Sequence, residues 1–118
     1  MITKEQRTEM VRYWWLKAKD SLSSARREFK ANSYSFAINR LYYAAFYAVC
    51  AVLLERQQSF RKHSRVRVAF HRQFIKTGLL DMKWGRLYDQ LFEDRQEGDY
   101  IVFVSFEPEY WTSFSLFR

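Results

Sequence analysis

Leu41-Tyr-Tyr-Ala-Ala-Phe-Tyr-Ala-Val-Cys-Ala-Val-Leu-Leu54 is apolar or aromatic at all 14 of its positions. Read as a helix, such a segment is apolar all round and must be buried by neighbours on several sides. Its 14 residues fall short of the roughly 20 that span a bilayer. Ala44, Ala45, Ala48 and Ala51 are small and let a second helix approach closely. This stretch therefore reads as the central helix of a bundle, running from about Tyr34 to about Glu55. Arg40 stands at its entry, where a guanidinium needs a partner or solvent.

The flanking sequence supplies the neighbours. Thr3-Lys4-Glu5-Gln6 has the capping-box form, with Thr3 as N-cap and Gln6 three residues on. Val11, Trp14, Trp15, Ala18, Leu22, Ala25 and Phe29 follow at mostly helical gaps, so a first amphipathic helix ends near Lys30. Ala31-Asn32-Ser33 reads as the turn, with Asn32 or Ser33 placed to cap the central helix. Glu55 to Lys62 reads as a polar connection. A third helix is expected from near Ser64 to Thr77-Gly78, where Gly is the usual terminator. A fourth is expected from near Asp81 to about Arg95, with Trp84, Leu87, Tyr88, Leu91 and Phe92 as its apolar stripe. Beyond Glu97-Gly98-Asp99, Tyr100 to Val104 is β-rich by residue type but has no pairing candidate. It reads as an extended connector into a short aromatic helix from Pro108 to about Phe117.

Composition agrees with an all-α fold, an antiparallel bundle of four to five helices within a single domain spanning residues 1–118. The chain has 118 residues, 48% of them apolar, which supports a core and argues against disorder. Three Gly and one Pro are too few for the frequent turns of an all-β protein. Cys50 is the one cysteine, so no internal disulfide or multi-Cys zinc site forms, and a reducing cytoplasm is the expected compartment. No His, Cys, Asp or Glu set has metal-ligand spacing, and no Gly-rich phosphate loop is present, so neither a metal nor a cofactor is expected. The charged N-terminus does not resemble a signal peptide.

Charge is concentrated. Arg56, Arg61, Lys62, Arg65, Arg67, Arg72 and Lys76 fall within 21 residues without an acidic residue, matching the net charge of +7 of the whole chain. Such a segment is an electrostatic footprint for phosphate or a solvated basic face. A membrane-surface role would need a broad exposed apolar face that the third helix lacks. Cys50, inside the densest apolar run, reads as an inert buried thiol.

Several motifs in order resemble the HEPN domain, and more narrowly the small stand-alone prokaryotic HEPN proteins. They are Trp15-Leu-Lys-Ala18, Arg40-Leu-Tyr-Tyr-Ala-Ala-Phe46, His63, Phe70-His-Arg-Gln-Phe-Ile-Lys-Thr-Gly78 and Leu91-Phe-Glu-Asp-Arg-Gln-Glu-Gly-Asp-Tyr100. The resemblance covers roughly residues 10 to 110. It implies a helical bundle, often a homodimer, that binds RNA or a nucleotide. Many such proteins are metal-independent ribonucleases of toxin–antitoxin or defence pairs, with a nucleotidyltransferase-fold antitoxin as partner. Active members carry an Arg followed four to six residues later by a His. Arg95 matches the Arg, but Asp99 and Tyr100 stand where the His is expected. Cleavage needs a base for the 2′-hydroxyl proton. Arg95 would hold the Asp99 carboxyl down, and a tyrosine with a pKa near about 10 is a poor base. Phosphate binding by Arg95 survives that loss, because its guanidinium fork suits phosphate oxygens.

The resemblance therefore implies a cleft with Arg95, Asp99 and Tyr100 at its centre and Arg40 and Tyr43 beside it. Arg61, Arg65, Arg72 and His63 are the further candidates for RNA or nucleotide contact. The alternative is a non-catalytic dimerisation or interaction module, with Arg95 and Asp99 as a staple and Arg40 paired to a carboxylate such as Asp99. His63, in its expected loop, reads by default as solvent-facing or capping, and His71 as a surface residue.

Overall fold

The computed structural model describes residues 2–96, and among these every element is helical. Helix α1 spans Lys4–Lys30, α2 Tyr34–Glu55, α3 His63–Phe70 and α4 Met82–Gln96. A single π-helical turn, His71–Ile75, continues α3. The expected connector and last helix, from Tyr100 to Phe117, lie outside the described residues.

Local chemistry accounts for the ends. The Thr3 hydroxyl accepts from the Gln6 amide at 3.0 Å, while the Gln6 side chain accepts from the Thr3 amide at 2.8 Å. At the other end of α1, Asn32 takes a left-handed φ of 63°. That lets the Ser33 amide reach back to the Glu28 carbonyl at 2.8 Å and closes the helix. Gln57 does the same for α2, with the Gln58 amide 2.9 Å from the Leu53 carbonyl. The Asp81 carboxylate accepts from the Lys83 amide at 2.9 Å and caps α4.

Helix α2 is surrounded, as its composition demands. Ala37, Ala44 and Ala51, spaced seven apart, are buried, as are Ala18 and Ala25 on α1. These small residues let the two long helices approach closely. The rest of α2 supplies Ile38, Leu41, Tyr42, Phe46, Val49 and Leu53 to a core completed by Val66, Ala69 and Phe70 of α3 and by Leu87, Tyr88, Leu91 and Phe92 of α4. By length and composition alone α2 could cross a membrane, yet 61% of its most apolar stretch is buried inside the bundle.

The third helix departs from expectation. It starts one residue before Ser64, with Lys62 as its extended N-cap, so His63 is its first residue rather than part of a loop. After Phe70 it widens, and the Lys76 amide bonds the His71 carbonyl at 2.8 Å. The π turn lies directly on α4. A Cβ on Gly85 would come within 2.9 Å of the His71 ring and 3.2 Å of Ile75, so only glycine permits this approach.

Candidate phosphate-binding site

The start of α3 and the end of α4 converge on the aromatic side of α2. His63 lies flat on Phe46, with ring centroids 4.0 Å apart and planes 8° apart. Its Nδ1 is 2.8 Å from the Tyr42 hydroxyl. Arg95 reaches the same nitrogen at 3.4 Å and spreads its guanidinium over the Tyr42 ring, 4.5 Å from the centroid. The Tyr43 ring meets His63 edge-on at 5.9 Å. His63 is thus half-buried and packed, not solvent-facing.

Phe92 of α4 ties a second cation to the group. Arg67 lies over its ring at 4.3 Å and Arg95 at 5.4 Å. The two guanidiniums can be no farther apart than those distances combined. Arg67 follows His63 by four residues, which places both on one face of α3. Asp89 holds Arg67 at 3.7 Å and also meets His71 Nε2 at 2.8 Å. His71 is therefore half-buried and engaged, against its default reading as a surface residue.

The electrostatics favour an anion. Arg95 is half-buried, and among the described residues no carboxylate pairs with it. Burial pushes the His63 pKa below its ordinary value, and the Arg95 charge pushes it further the same way. Burial raises Tyr42 to about 12 despite the opposing pull of Arg95, so its hydroxyl keeps its proton at any physiological pH. Tyr88, behind Tyr42, is raised by burial in the same way, and its buried hydroxyl makes no hydrogen bond of good geometry. Burial also raises the Cys50 thiol to about 11, which makes it a poor nucleophile although it is not wholly buried.

The candidate residues are thereby sorted. Arg95, His63 and Tyr43 come together. Arg40, Arg61, Arg65 and Arg72 are exposed, and no contact joins them to this group. Asp99 and Tyr100 lie outside the described residues. Tyr42 and Arg67 are members of the group that the sequence does not single out. For Arg67 a signal exists in its four-residue spacing from His63. For Tyr42 there is none, since adjacent tyrosines on an apolar helix look alike. No group of His, Cys, Asp and Glu among the described residues is placed to hold a metal ion.

A groove of about 460 Å³ lies apart from this polar cluster, lined by Trp15, Leu22, Ala48, Val52, Leu80 and Trp84 among others. Its lining is mainly apolar, with Lys19 and Tyr88 as its titratable side chains.

The family model of the HEPN domain matches residues 11–114. A "UPF0332 protein" of Thermotoga maritima is 41% identical over 104 residues, covering 88% of this chain and 79% of that protein. Two proteins of Methanocaldococcus jannaschii are also similar. The one named "Putative toxin MJ0142" is 34% identical over 79% of this chain and 63% of its own length. The one named "Putative toxin MJ0605" is 31% identical over 78% of this chain and 69% of its own length. No solved structure matches the chain.

Proposed function

The chain belongs to the HEPN domain family, and from that premise we propose that it is a toxin-like RNA- or nucleotide-binding protein whose ligand phosphate sits at Arg95. The observation that carries this reading is the half-buried Arg95 without a carboxylate partner among the described residues, beside His63 and within reach of Arg67. A guanidinium in that setting gains most from a phosphate oxygen. The exposed Arg61, Arg65 and Arg72 would add long-range attraction for a polyanion without fixing its position. The relatives named as toxins support a toxin–antitoxin setting in general; a nucleotidyltransferase-fold antitoxin as the partner and a homodimer as the working state are the finer part of the proposal.

The test is incubation of the purified protein with labelled total RNA and a tRNA pool in EDTA, with Arg95→Ala in parallel. Binding by the wild type that weakens steeply with salt, and is lost in the variant, is the expected result. Equal binding by both proteins, or a flat salt response, rejects the site. RNA cleaved by the wild type and left intact by the variant would add ribonuclease activity, with Asp99 or Tyr100 in the role of the missing histidine.

A second reading is favoured by the apolar groove and by exposed side chains such as Tyr13, Leu16 and Phe36. In it the chain is a non-catalytic interaction module, and Arg95 serves only to brace α4. Arg95→Ala would then lower the melting temperature with no binding activity to lose.

A further inference from the structure

We propose that Tyr42 is a positioning residue: with Arg95 it holds His63 as the neutral imidazole protonated on Nε2, so that the site offers a phosphate an uncharged N–H donor between cationic arginines. The inference rests on the RNA or nucleotide reading for its ligand, but not for its tautomer.

The argument is one of donors and acceptors. Two groups address the same nitrogen, His63 Nδ1: the Tyr42 hydroxyl at 2.8 Å and an Arg95 N–H at 3.4 Å. A guanidinium can only donate. A proton on Nδ1 would point at that donor and at a positive charge, and would leave Arg95 without this acceptor and the Tyr42 O–H to turn to the neighbouring Tyr88 hydroxyl. A bare Nδ1 lone pair accepts from Tyr42 and faces the guanidinium favourably. The single imidazole proton must then sit on Nε2. Tyr42 is fully buried and its ring is fixed by Phe46, Tyr88 and Phe92, which holds its oxygen beside His63 Nδ1. Stacking on Phe46 fixes the imidazole plane. Nε2 makes no hydrogen bond among the described residues, and His63 is only half-buried, which leaves that atom to a ligand.

The consequence is chemical. An imidazole whose Nε2 is already protonated cannot accept a proton from a ribose hydroxyl through that atom. His63 therefore recognises the phosphate rather than activating the attacking oxygen, and a cleavage base must come from elsewhere in the chain.

Long-range proton–nitrogen correlation NMR of 15N-histidine-labelled full-length protein reads the tautomer directly. Of the two histidines, His71 is assigned through His71→Asn. The expected spectrum shows His63 with the Nε2–H pattern, and Tyr42→Phe converts it to a mixture while the protein still melts cooperatively. An Nδ1–H pattern, or a pattern unchanged in Tyr42→Phe, overturns the proposal. Titration with inorganic phosphate should move the Nε2 signal ahead of Nδ1, and movement at Nδ1 alone counts against it. Should Tyr42→Phe fail to fold, His63→Gln and His63→Ala decide instead, with a fluorescent tRNA pool as probe. Glutamine keeps an amide donor near the Nε2 position but can carry no charge. Alanine should weaken binding about tenfold, as loss of one hydrogen bond to a charged group does, and glutamine much less. Glutamine as damaging as alanine would overturn the donor role. If the wild type binds no tRNA, the RNA reading falls while the NMR result still decides the tautomer.

Discussion

The two sides of α2 solve different problems with one helix. Toward α1, Ala37, Ala44 and Ala51 are buried small side chains, matched by the buried Ala18 and Ala25 of α1. Toward α3 and α4 the same helix carries Tyr42 and Phe46, large rings of which Phe46 stacks on His63 and Tyr42 adds a hydroxyl. The alanine side brings two backbones together, and its ring at Tyr47 is taken up by Trp14 and Lys17 of α1. The aromatic side holds its neighbours farther away, and the space at its rim admits the imidazole of His63 and the guanidinium of Arg95. Large amphipathic rings thus let one surface serve as both core and binding site.

Substitutions on the two sides should separate these roles. Phe46→Ala is expected to be the most damaging, at about 3–5 kcal/mol, because it empties core volume and removes the ring beneath His63. Chemical denaturation measures this, and RNA binding should weaken with it. Ala51→Leu forces bulk into the fully buried alanine side and should cost about 1–3 kcal/mol. It should leave the His63 and Arg95 contacts, and so any RNA affinity of the remaining folded protein, nearly unchanged. Equal loss of binding in both variants would break the distinction between the two sides.

A smaller effect should appear with pH. The unfolded chain protonates His63 near the ordinary value of 6.5, while burial and then Arg95 lower that value in the folded protein. Between the two values the unfolded state binds more protons. The contribution of His63 to stability is therefore complete above about 6.5 and is lost as pH falls through the lowered native value. Denaturation midpoints at about pH 7.5 and about pH 5.5 should differ more in the wild type than in His63→Gln. His71 is present in both proteins and cancels from the comparison. An identical pH response in the two would mean that His63 is not held neutral.

Much of the scaffold is legible in the order of the residues alone. Thr3 and Gln6 form the expected capping box, and the stripe from Leu87 to Phe92 is buried as its spacing required, whereas Asn32 closes α1 and neither it nor Ser33 caps α2 through its side chain. These features depend on residues within one or two helical turns of each other. The site is legible only in part. Arg95 can be picked out by its motif position, and His63 and Tyr43 stand among the candidates. The pairing of His63 with Tyr42, the place of Arg67 on Phe92 and the engagement of His71 by Asp89 join residues between 18 and 25 positions apart. Local pattern carries no information about such pairs.

By itself, then, the amino-acid sequence determined four helices, the capping box of the first and a central helix that must be enclosed. Hydrogen bonds and apolar periodicity act over a few residues and are written in the order of the chain. Only the tertiary structure decided which of two adjacent tyrosines hydrogen-bonds His63, and which of the arginines of the basic segment joins Arg95. Those choices follow from the rotation of α3 and α4 about their own axes as they settle on α2. The close contact of Gly85 with the π turn helps set that rotation, and it exists only once the helices are packed.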